Sequence, residues 1–322
     1  MTNCTLFGIS VRSKGYALLA FALFLMGVLK HPGWVNQASA QKAVVRLDVA
    51  VIDKSGRSLT GLNREEFTIY EDGAKQEIDS FNNQESPVSL GIVIDASGSA
   101  RPYLQASREI VLKVISQMKP DDEAFIMQFR ALPSLVHGYT SNQLDLVNAL
   151  DLIYTSGQSS ILNAINEASE YTRLHGRFGR RALLILSDGQ DNTSKIKEGD
   201  LIKRLSENNV QMYFIRYPAQ NLPADMRNVT YVRADTENIL TRLALVTGGQ
   251  LFPPSNKDQA LIIAARFMEN LRRQYELTYI PTNNKQDDKL RKIKVVVTLK
   301  DGRQMNATTR QSYYGPVYKI QR

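Results

Sequence analysis

Residues 90–99, LGIVIDASGS, join a continuous apolar run to a sudden turn of small polar side chains. An apolar run of this length that ends in turn-forming residues is typical of a fully buried strand. Further buried strands are predicted at residues 124–129, 182–186 and 210–215, with segments of helical spacing between them. Strands that alternate with helices predict a mostly parallel sheet covered on both faces, an open, doubly wound α/β domain.

The helices between these strands are indicated by apolar residues that recur three and four positions apart. They are predicted at residues 103–118, 161–174, 201–205, 239–246 and 258–275. The last helix is expected to reach Tyr275, after which the sequence returns to β character.

Strand-like segments flank the α/β region on both sides. Residues 44–52 alternate apolar and polar side chains, and residues 67–70 lead into the turn signal at 71–73, EDG. Residues 276–280 and 293–314 have similar character on the other side. Each group is too small to hold a core alone. We therefore expect the two groups to form one small β-sandwich-like domain into which the α/β domain is inserted.

The first forty residues have the layout of a secretory signal peptide. Arg12 and Lys14 precede an apolar run at 16–29, and Ala38-Ser39-Ala40 follows. The run is shorter than the roughly 20 residues that a transmembrane helix needs. Cleavage after Ala40 is expected, which predicts a secreted or periplasmic protein; an uncleaved anchor facing the periplasm is the alternative. The predicted parts of the chain are a signal peptide (1–40), an N-terminal β segment (41–86), the α/β domain (87–275) and a C-terminal β segment (276–322).

The composition is that of an ordinary globular protein, with 43% hydrophobic and 22% charged residues. The net charge of +8 comes from basic residues scattered among acidic ones. No stripe of Lys and Arg interleaved with aromatic residues is found, so a nucleic-acid partner is not expected. The only cysteine, Cys4, precedes the apolar run, so no disulfide is expected in the mature protein.

Polar side chains follow two of the predicted buried strands. Asp95, Ser97 and Ser99 come after residues 90–94, and Asp188 follows the strand at 182–186. Ligands of open α/β sheets bind at the carboxyl ends of the strands. These carboxylates and hydroxyls are therefore expected on neighbouring loops at one edge of the sheet.

This spacing resembles the metal-ion-dependent adhesion site of the von Willebrand factor type A family, which integrin inserted domains share. That site is written D-x-S-x-S, then a Thr, then an Asp. Asp95, Ser97 and Ser99 match the first part without departure, and Asp188 matches the last. The resemblance implies the Rossmann-like fold of this family.

The Thr of the family lies in the pattern G-x-T-x-L-x-D-A-I, and residues 157–165 read GQSSILNAI. Ser159 takes the position of the Thr, and Asn163 replaces the Asp. A serine keeps the hydroxyl that ligates a metal and loses only a methyl group, so we expect weaker positional fixing and a retained site. Ser160 is the alternative ligand if the alignment slips by one residue.

By this resemblance one Mg²⁺ or Mn²⁺ is bound directly by the serines and partly through water by the aspartates. The implied ligands are Asp95, Ser97, Ser99, Ser159 and Asp188. An all-oxygen set of this kind suits these ions and leaves them short of negative charge. An Asp or Glu carboxylate of a protein or matrix partner would supply it. The implied function is metal-dependent binding or adhesion; the alternative is a structural component of the envelope that uses the domain as a constitutive subunit contact.

The layout of nearly the whole mature chain also resembles von Willebrand factor A-related proteins of Acidobacteria. The shared motifs are G-x-x-L-x-G-L-x-x-x-x-F at 56–67, E-D-G at 71–73, T-G-G at 247–249 and Q-Y-x-L-x-Y-x-P at 274–281. Each motif is weak by itself. Together they associate the two flanking β segments with the α/β domain.

An enzymatic function is not expected. Nothing in the sequence orients His137 toward Ser97 to form a hydrolytic triad. The nucleophile elbow G-x-S-x-G is also absent, because Asp95 stands where its first glycine would be. The alternative without a metal is that Ser97 and Ser99 cap the helix that begins near Arg101.

Overall fold

The computed structural model describes residues 44–216, 230–285 and 287–315, with the backbone alone for residues 230–237. The predicted signal peptide, its cleavage site after Ala40 and Cys4 lie outside the described residues. Within them, no helix is both long enough and apolar enough to span a membrane.

The described residues form strands, α-helices and two short 3-10 helices, Arg64–Glu66 and Arg101–Tyr103. The strands are β1 (Val45–Val51), β2 (Phe67–Glu71), β3 (Ala74–Gln76), β4 (Ser80–Asn82), β5 (Val88–Asp95), β6 (Glu123–Phe129), β7 (Pro133–Thr140), β8 (Arg180–Ser187), β9 (Gln211–Arg216), β10 (Gln250–Phe252), β11 (Tyr275–Tyr279), β12 (Leu290–Thr298), β13 (Gln304–Met305), β14 (Ala307–Thr308) and β15 (Ser312–Tyr314). The helices are α1 (Leu104–Ile115), α2 (Gln143–Leu150), α3 (Ile161–His175), α4 (Glu198–Asn208), α5 (Thr230–Thr247) and α6 (Lys257–Arg272).

A six-stranded sheet with the order β10-β9-β8-β5-β6-β7 forms the centre of the α/β domain. All its neighbouring pairs are parallel except β6 and β7, so the antiparallel strand lies at one edge. Helices α1, α2 and α6 cover one face, and α3, α4 and α5 cover the other. The predicted doubly wound, mostly parallel α/β fold is confirmed.

Strand β5 explains why the run at residues 90–94 is apolar throughout. All of its residues are buried, because it lies in the middle of a sheet that is covered on both faces. Ile92 and Ile94 pack toward the α1 and α6 side, and Val93 packs toward the α3 side. Gly91 has no side chain because Leu183 and the ring of Phe125 occupy the space that a Cβ would need.

The flanking β segments pair with each other, as the sequence predicted. From the N-terminal side, β1 pairs with β11 and β14, and β2 pairs with β12, all antiparallel. Buried residues from both ends of the chain, among them Leu47, Ile69, Leu277 and Val297, share one core. One small β-sandwich-like domain is therefore formed from two distant parts of the chain.

The turn signal at residues 71–73 forms the expected hairpin. Glu71 of β2 pairs with Ala74 of β3, which leaves Asp72 and Gly73 as a two-residue loop. Their φ angles are 48° and 84°, so both residues lie in the left-handed region. A loop with positive φ at both positions matches the right-handed twist of the two strands, and Asp-Gly is a favoured pair for it.

The predicted end of the last helix at Tyr275 is wrong. Helix α6 begins after the cap Asn256, whose side chain accepts a hydrogen bond from Gln259 N at 2.9 Å, and it ends at Arg272. Tyr275 is the first residue of β11 and, like Leu277 and Tyr279, is buried in the sandwich core. These side chains alternate with the period of a strand. Tyr275 also fits the helical spacing of α6, because it follows the buried Leu271 by four positions, and for this reason the sequence placed it in the helix.

The two domains meet around the start of β8. Arg180 is 1% exposed and donates hydrogen bonds to the carbonyl oxygens of Arg272 and Gln274, the latter at 2.8 Å. Its Nη2 also lies 3.6 Å from Oδ1 of Asp48 on β1. A side chain of the α/β domain thus satisfies polar groups on the chain segment that enters the sandwich.

Candidate metal centre

The candidate site lies where β5 and β8 end side by side. Ile94 pairs with Leu186 in the sheet, so Asp95, the last residue of β5, and Asp188, on the loop after β8, lie at neighbouring strand ends. The loop before α3 joins them, because Ser156 N donates to Ala96 O at 2.9 Å. A second bond, from the amide of residue 98 to the carbonyl of residue 157 at 2.8 Å, fixes the same contact. Three loops therefore meet at this edge of the sheet.

Asp95 is 2% exposed, and both of its oxygens are hydrogen-bonded. Oδ1 accepts from Ser97 N at 2.9 Å, and Oδ2 accepts from Ser187 Oγ at 2.7 Å. Burial raises the pKa of the Asp95 carboxyl to about 7, and the negative charge of Asp188 adds to the rise. The site therefore holds two carboxylates that repel each other in a place with little water.

Asp188 carries the feature that best fits a cation. Its side chain is buried, and Oδ1 accepts from Gln190 N at 2.9 Å. Among the described residues Oδ2 has no hydrogen-bond partner, although it is buried. A buried carboxylate oxygen without a partner is costly, so such a group is usually paired or bound to a metal. The residues present therefore fit a divalent ion.

The serine hydroxyls supply neutral oxygens around the carboxylates. Ser97 is buried, and its Oγ lies 3.1 Å from the Oγ of the half-buried Ser99. Ser159 Oγ donates to Gln190 O at 2.7 Å, which joins it to the Asp188 loop. The structure thus places all five predicted ligands at the end of β5 or on the three loops that meet here.

Ser160 is bound differently from Ser159. It is also buried, but its Oγ donates to Arg130 O at 2.8 Å, just beyond the end of β6. The capping alternative for Ser97 and Ser99 finds no support, since no side-chain hydrogen bond caps the 3-10 helix Arg101–Tyr103 or α1.

Two residues support the site through hydrogen bonds that the sequence did not predict. Ser187 bonds Asp95 and also accepts from the amide of residue 189 at 3.0 Å, so it orients both carboxylate loops. Asn163 accepts from Lys195 N at 3.2 Å and Ile196 N at 3.3 Å. The only sequence signal for the role of Ser187 is its position directly before Asp188.

Asp191, on the same loop as Asp188, stays outside the ligand set. Its Oδ1 accepts from Ser194 N at 3.2 Å, as in an ordinary polar turn, and burial raises its pKa. No group of three or more His, Cys, Asp or Glu side chains able to hold a metal occurs among the residues that the structure describes. A metal at this edge would therefore depend on hydroxyl ligands.

Comparison with known proteins identifies the central domain. Residues 90–190 match the von Willebrand factor type A domain family. A von Willebrand factor type A structure from Catenulispora acidiphila is similar at 10% identity and a TM-score of 0.48, covering 86% of this chain and 74% of that one. An aerotolerance-related membrane protein from Bacteroides fragilis is similar at 17% identity and a TM-score of 0.44, covering 56% of this chain and 98% of that one.

The PilB minor pilin from Streptococcus sanguinis is also similar, at 9% identity and a TM-score of 0.44, covering 60% of this chain and 63% of that one. These three likenesses are too weak to carry an argument about function. No curated protein matches the chain. Residues 90–190 therefore match a von Willebrand factor type A domain, a kind of domain that mediates protein–protein interactions in general.

Proposed function

We propose that the protein is an exported binding or adhesion protein that captures an acidic group of a protein or matrix partner through a divalent metal. The observation that carries the proposal is the buried, unpartnered Oδ2 of Asp188 next to the buried carboxyl of Asp95. A cation between the two would neutralise their repulsion and satisfy the free oxygen. Export rests on the predicted signal peptide, and no catalytic step is part of the proposal.

Asp95 and Asp188 would hold Mg²⁺ or Mn²⁺ together with the hydroxyls of Ser97, Ser99 and Ser159. These ions prefer oxygen ligands in octahedral geometry. When bound, the ion supplies a Lewis-acidic position that attracts an anionic oxygen. The hydroxyl ligands add no charge, so the site gains from a further carboxylate offered by the partner.

The surface beside the site favours an acidic partner. Arg130 donates to Ser156 Oγ at 3.2 Å, and its guanidinium lies 4.5 Å from the centre of the Tyr154 ring. Tyr154 and Leu132 are both exposed. A positive charge held over an aromatic ring next to the metal position can attract an acidic segment, while the exposed apolar groups offer contact area.

The metal site is tested by isothermal titration of Mg²⁺ and Mn²⁺. We expect one site in the wild-type protein and its loss in Asp95→Ala and in Asp188→Ala, with the fold kept because both side chains lie at a sheet edge. Asp191→Asn is the matched control, since it neutralises a carboxylate on the same loop outside the ligand set. Unchanged metal affinity in both alanine variants would disprove the site.

Partner capture is tested with envelope extract from the source cells, with and without EDTA. Partners that are lost with EDTA and with Asp188→Ala support metal-dependent capture. Partners that stay bound under both conditions support the alternative, in which the domain is a constitutive subunit contact of the envelope.

A further inference from the structure

A cavity of about 240 Å³ lies between helix α6 and the β-sandwich, away from the metal centre. One face of α6 forms its wall, where Ile263, Phe267 and Leu271 follow each other at helical spacing. Phe252 of β10 and Ile52 beyond β1 line it from the other elements. The walls are therefore mostly apolar and come from both domains.

One charged side chain lines this cavity, that of Arg266. Its Nη1 donates to Ser55 O at 2.6 Å, which holds the guanidinium near exposed residues at the mouth of the cavity. In the part of the chain that the structure describes, Arg266 forms no ion pair. A half-buried guanidinium with remaining N–H donors is a suitable partner for a carboxylate.

A buried acceptor also belongs to the lining of this cavity. Gln274 is 2% exposed, and its Nε2 donates to Tyr213 OH at 2.9 Å. Its Oε1 has no hydrogen-bond partner among the described residues. Gln274 lies two residues beyond the end of α6. A donor from outside the chain would satisfy this oxygen.

We propose that this cavity binds a small, largely apolar carboxylate that also carries a hydroxyl. The carboxylate pairs with Arg266, and the hydroxyl donates to Gln274 Oε1. An apolar cavity of roughly 150 Å³ accepts benzene, so this one has room for about ten non-hydrogen atoms. A single ring with a hydroxyl at one end and a short carboxylate arm at the other has this size. The site does not depend on the proposed metal-dependent function.

The test is calorimetric titration of the full-length protein with three matched probes, in EDTA so that no metal can bind a carboxylate. The probe 4-hydroxyphenylacetate carries both polar groups, 4-hydroxyphenylethanol lacks the carboxylate, and phenylacetate lacks the ring hydroxyl. We expect saturable binding of the first and roughly tenfold weaker binding of each of the others, as for the loss of one hydrogen bond to a charged or buried group.

Variants assign each preference to a residue. Arg266→Gln should remove the preference for the acid over the alcohol, and Gln274→Leu should remove the preference for the hydroxylated ring. Ile263→Trp should abolish binding by filling the cavity. Lys113→Gln on the exposed surface of α1 makes the same change in net charge as Arg266→Gln and should leave all three affinities unchanged.

Three results would overturn the proposal. They are no saturable binding of 4-hydroxyphenylacetate, equal affinity for all three probes, and binding that survives Ile263→Trp in a folded protein. If Gln274→Leu does not fold, the comparison of 4-hydroxyphenylacetate with phenylacetate on the wild-type protein still decides whether a hydroxyl is recognised. Because metal is absent throughout, failure here leaves the metal-site test unaffected.

Discussion

Ser159 and Ser160 are neighbours whose hydroxyls serve different loops, and this difference makes a prediction at the scale of the residue. Ser159 Oγ bonds the carbonyl of Gln190 beside Asp188, whereas Ser160 Oγ bonds the carbonyl of Arg130. Ser159→Ala should therefore weaken metal binding by roughly tenfold or more. Ser160→Ala should cost about 1 kcal/mol of stability and leave metal affinity unchanged.

Ser159→Thr is the positive control, because it restores the residue of the family and keeps the hydroxyl. It should bind metal at least as well as the wild type. Titration of metal and urea unfolding of the three variants measure both effects. If Ser160→Ala lost the metal while Ser159→Ala kept it, the alignment of residues 157–165 would be off by one.

Four candidate ligands could be read from the sequence because they end or follow a strand that is recognisable by itself, whereas Ser159, between α2 and α3, was placed by the resemblance alone. Asp95 and Asp188 end apolar runs, and parallel strands bring their ends to one edge. The bond from Ser187 to Asp95 could not be read, because it joins two loops whose side-chain rotamers are set by packing. The hydrogen bonds of Asn163 could not be read from the sequence either, because its partners Lys195 and Ile196 are distant in sequence.

At the scale of the element, strands were predictable where burial is complete and less so where it is partial. Strands β5 and β8 contain continuous apolar runs and lie in the middle of the sheet. Strand β7 was not predicted: it is an edge strand whose residues are exposed or half-buried, so its sequence lacks both alternation and an apolar run. Helix α2 was also missed, because it is short and follows directly on that edge.

A buried hydrogen-bond network joins the two halves of the sandwich. Oε2 of Glu71 on β2 accepts from the hydroxyls of Tyr279 and Tyr313, each at 2.7 Å. Burial raises the pKa of Tyr313 to about 12, and the bond to Glu71 adds to the rise. Burial and the same carboxylate raise the pKa of Tyr279. Strands β11 and β15 thus depend on protonated tyrosines for their contact with β2.

This network predicts loss of stability in alkali. A tyrosine that keeps its proton when folded but releases it near pH 10.0 when unfolded stabilises the fold fully below that pH. Its contribution falls as pH rises from there to about 12. The free energy of unfolding, measured in urea across this range, should therefore fall less steeply in Tyr279→Phe/Tyr313→Phe than in wild type.

The matched control for the alkaline experiment is Tyr70→Phe, because Tyr70 lies on β2 with no hydroxyl hydrogen bond among the described contacts. Its profile should follow that of the wild type. At neutral pH the double variant should be less stable by about 3–6 kcal/mol, since two hydrogen bonds to a buried carboxylate are lost, each worth about 1.5–3 kcal/mol. Identical slopes for all three proteins would show that the network does not control alkaline unfolding.

At the scale of the whole molecule, the sandwich is completed by strands that follow the α/β domain in the sequence. The two sheet neighbours of β1 are strands β11 and β14, which come from the C-terminal β segment. Strand β2 pairs with β12 of the same segment. This arrangement was predictable from two β segments that are each too small for a core. The contact of Arg180 with Asp48 was not, because a buried arginine at a strand start has no sequence signature.

The last prediction concerns a chain shortened after Tyr275. It keeps β1 to β4 but lacks nearly all of β11 and every later strand, so the apolar face of Val45, Leu47 and Val49 loses its cover. Each Å² of apolar surface left open costs about 25 cal/mol. We expect trypsin to cut the shortened chain at Arg46 and Lys54 much faster than the full chain.

A chain of residues 87–275 should stay folded and bind metal, because the residues of its hydrophobic core all lie within it. Limited proteolysis with mass spectrometry distinguishes the outcomes: protection of the N-terminal strands in the shortened chain would mean that the two β regions are independent.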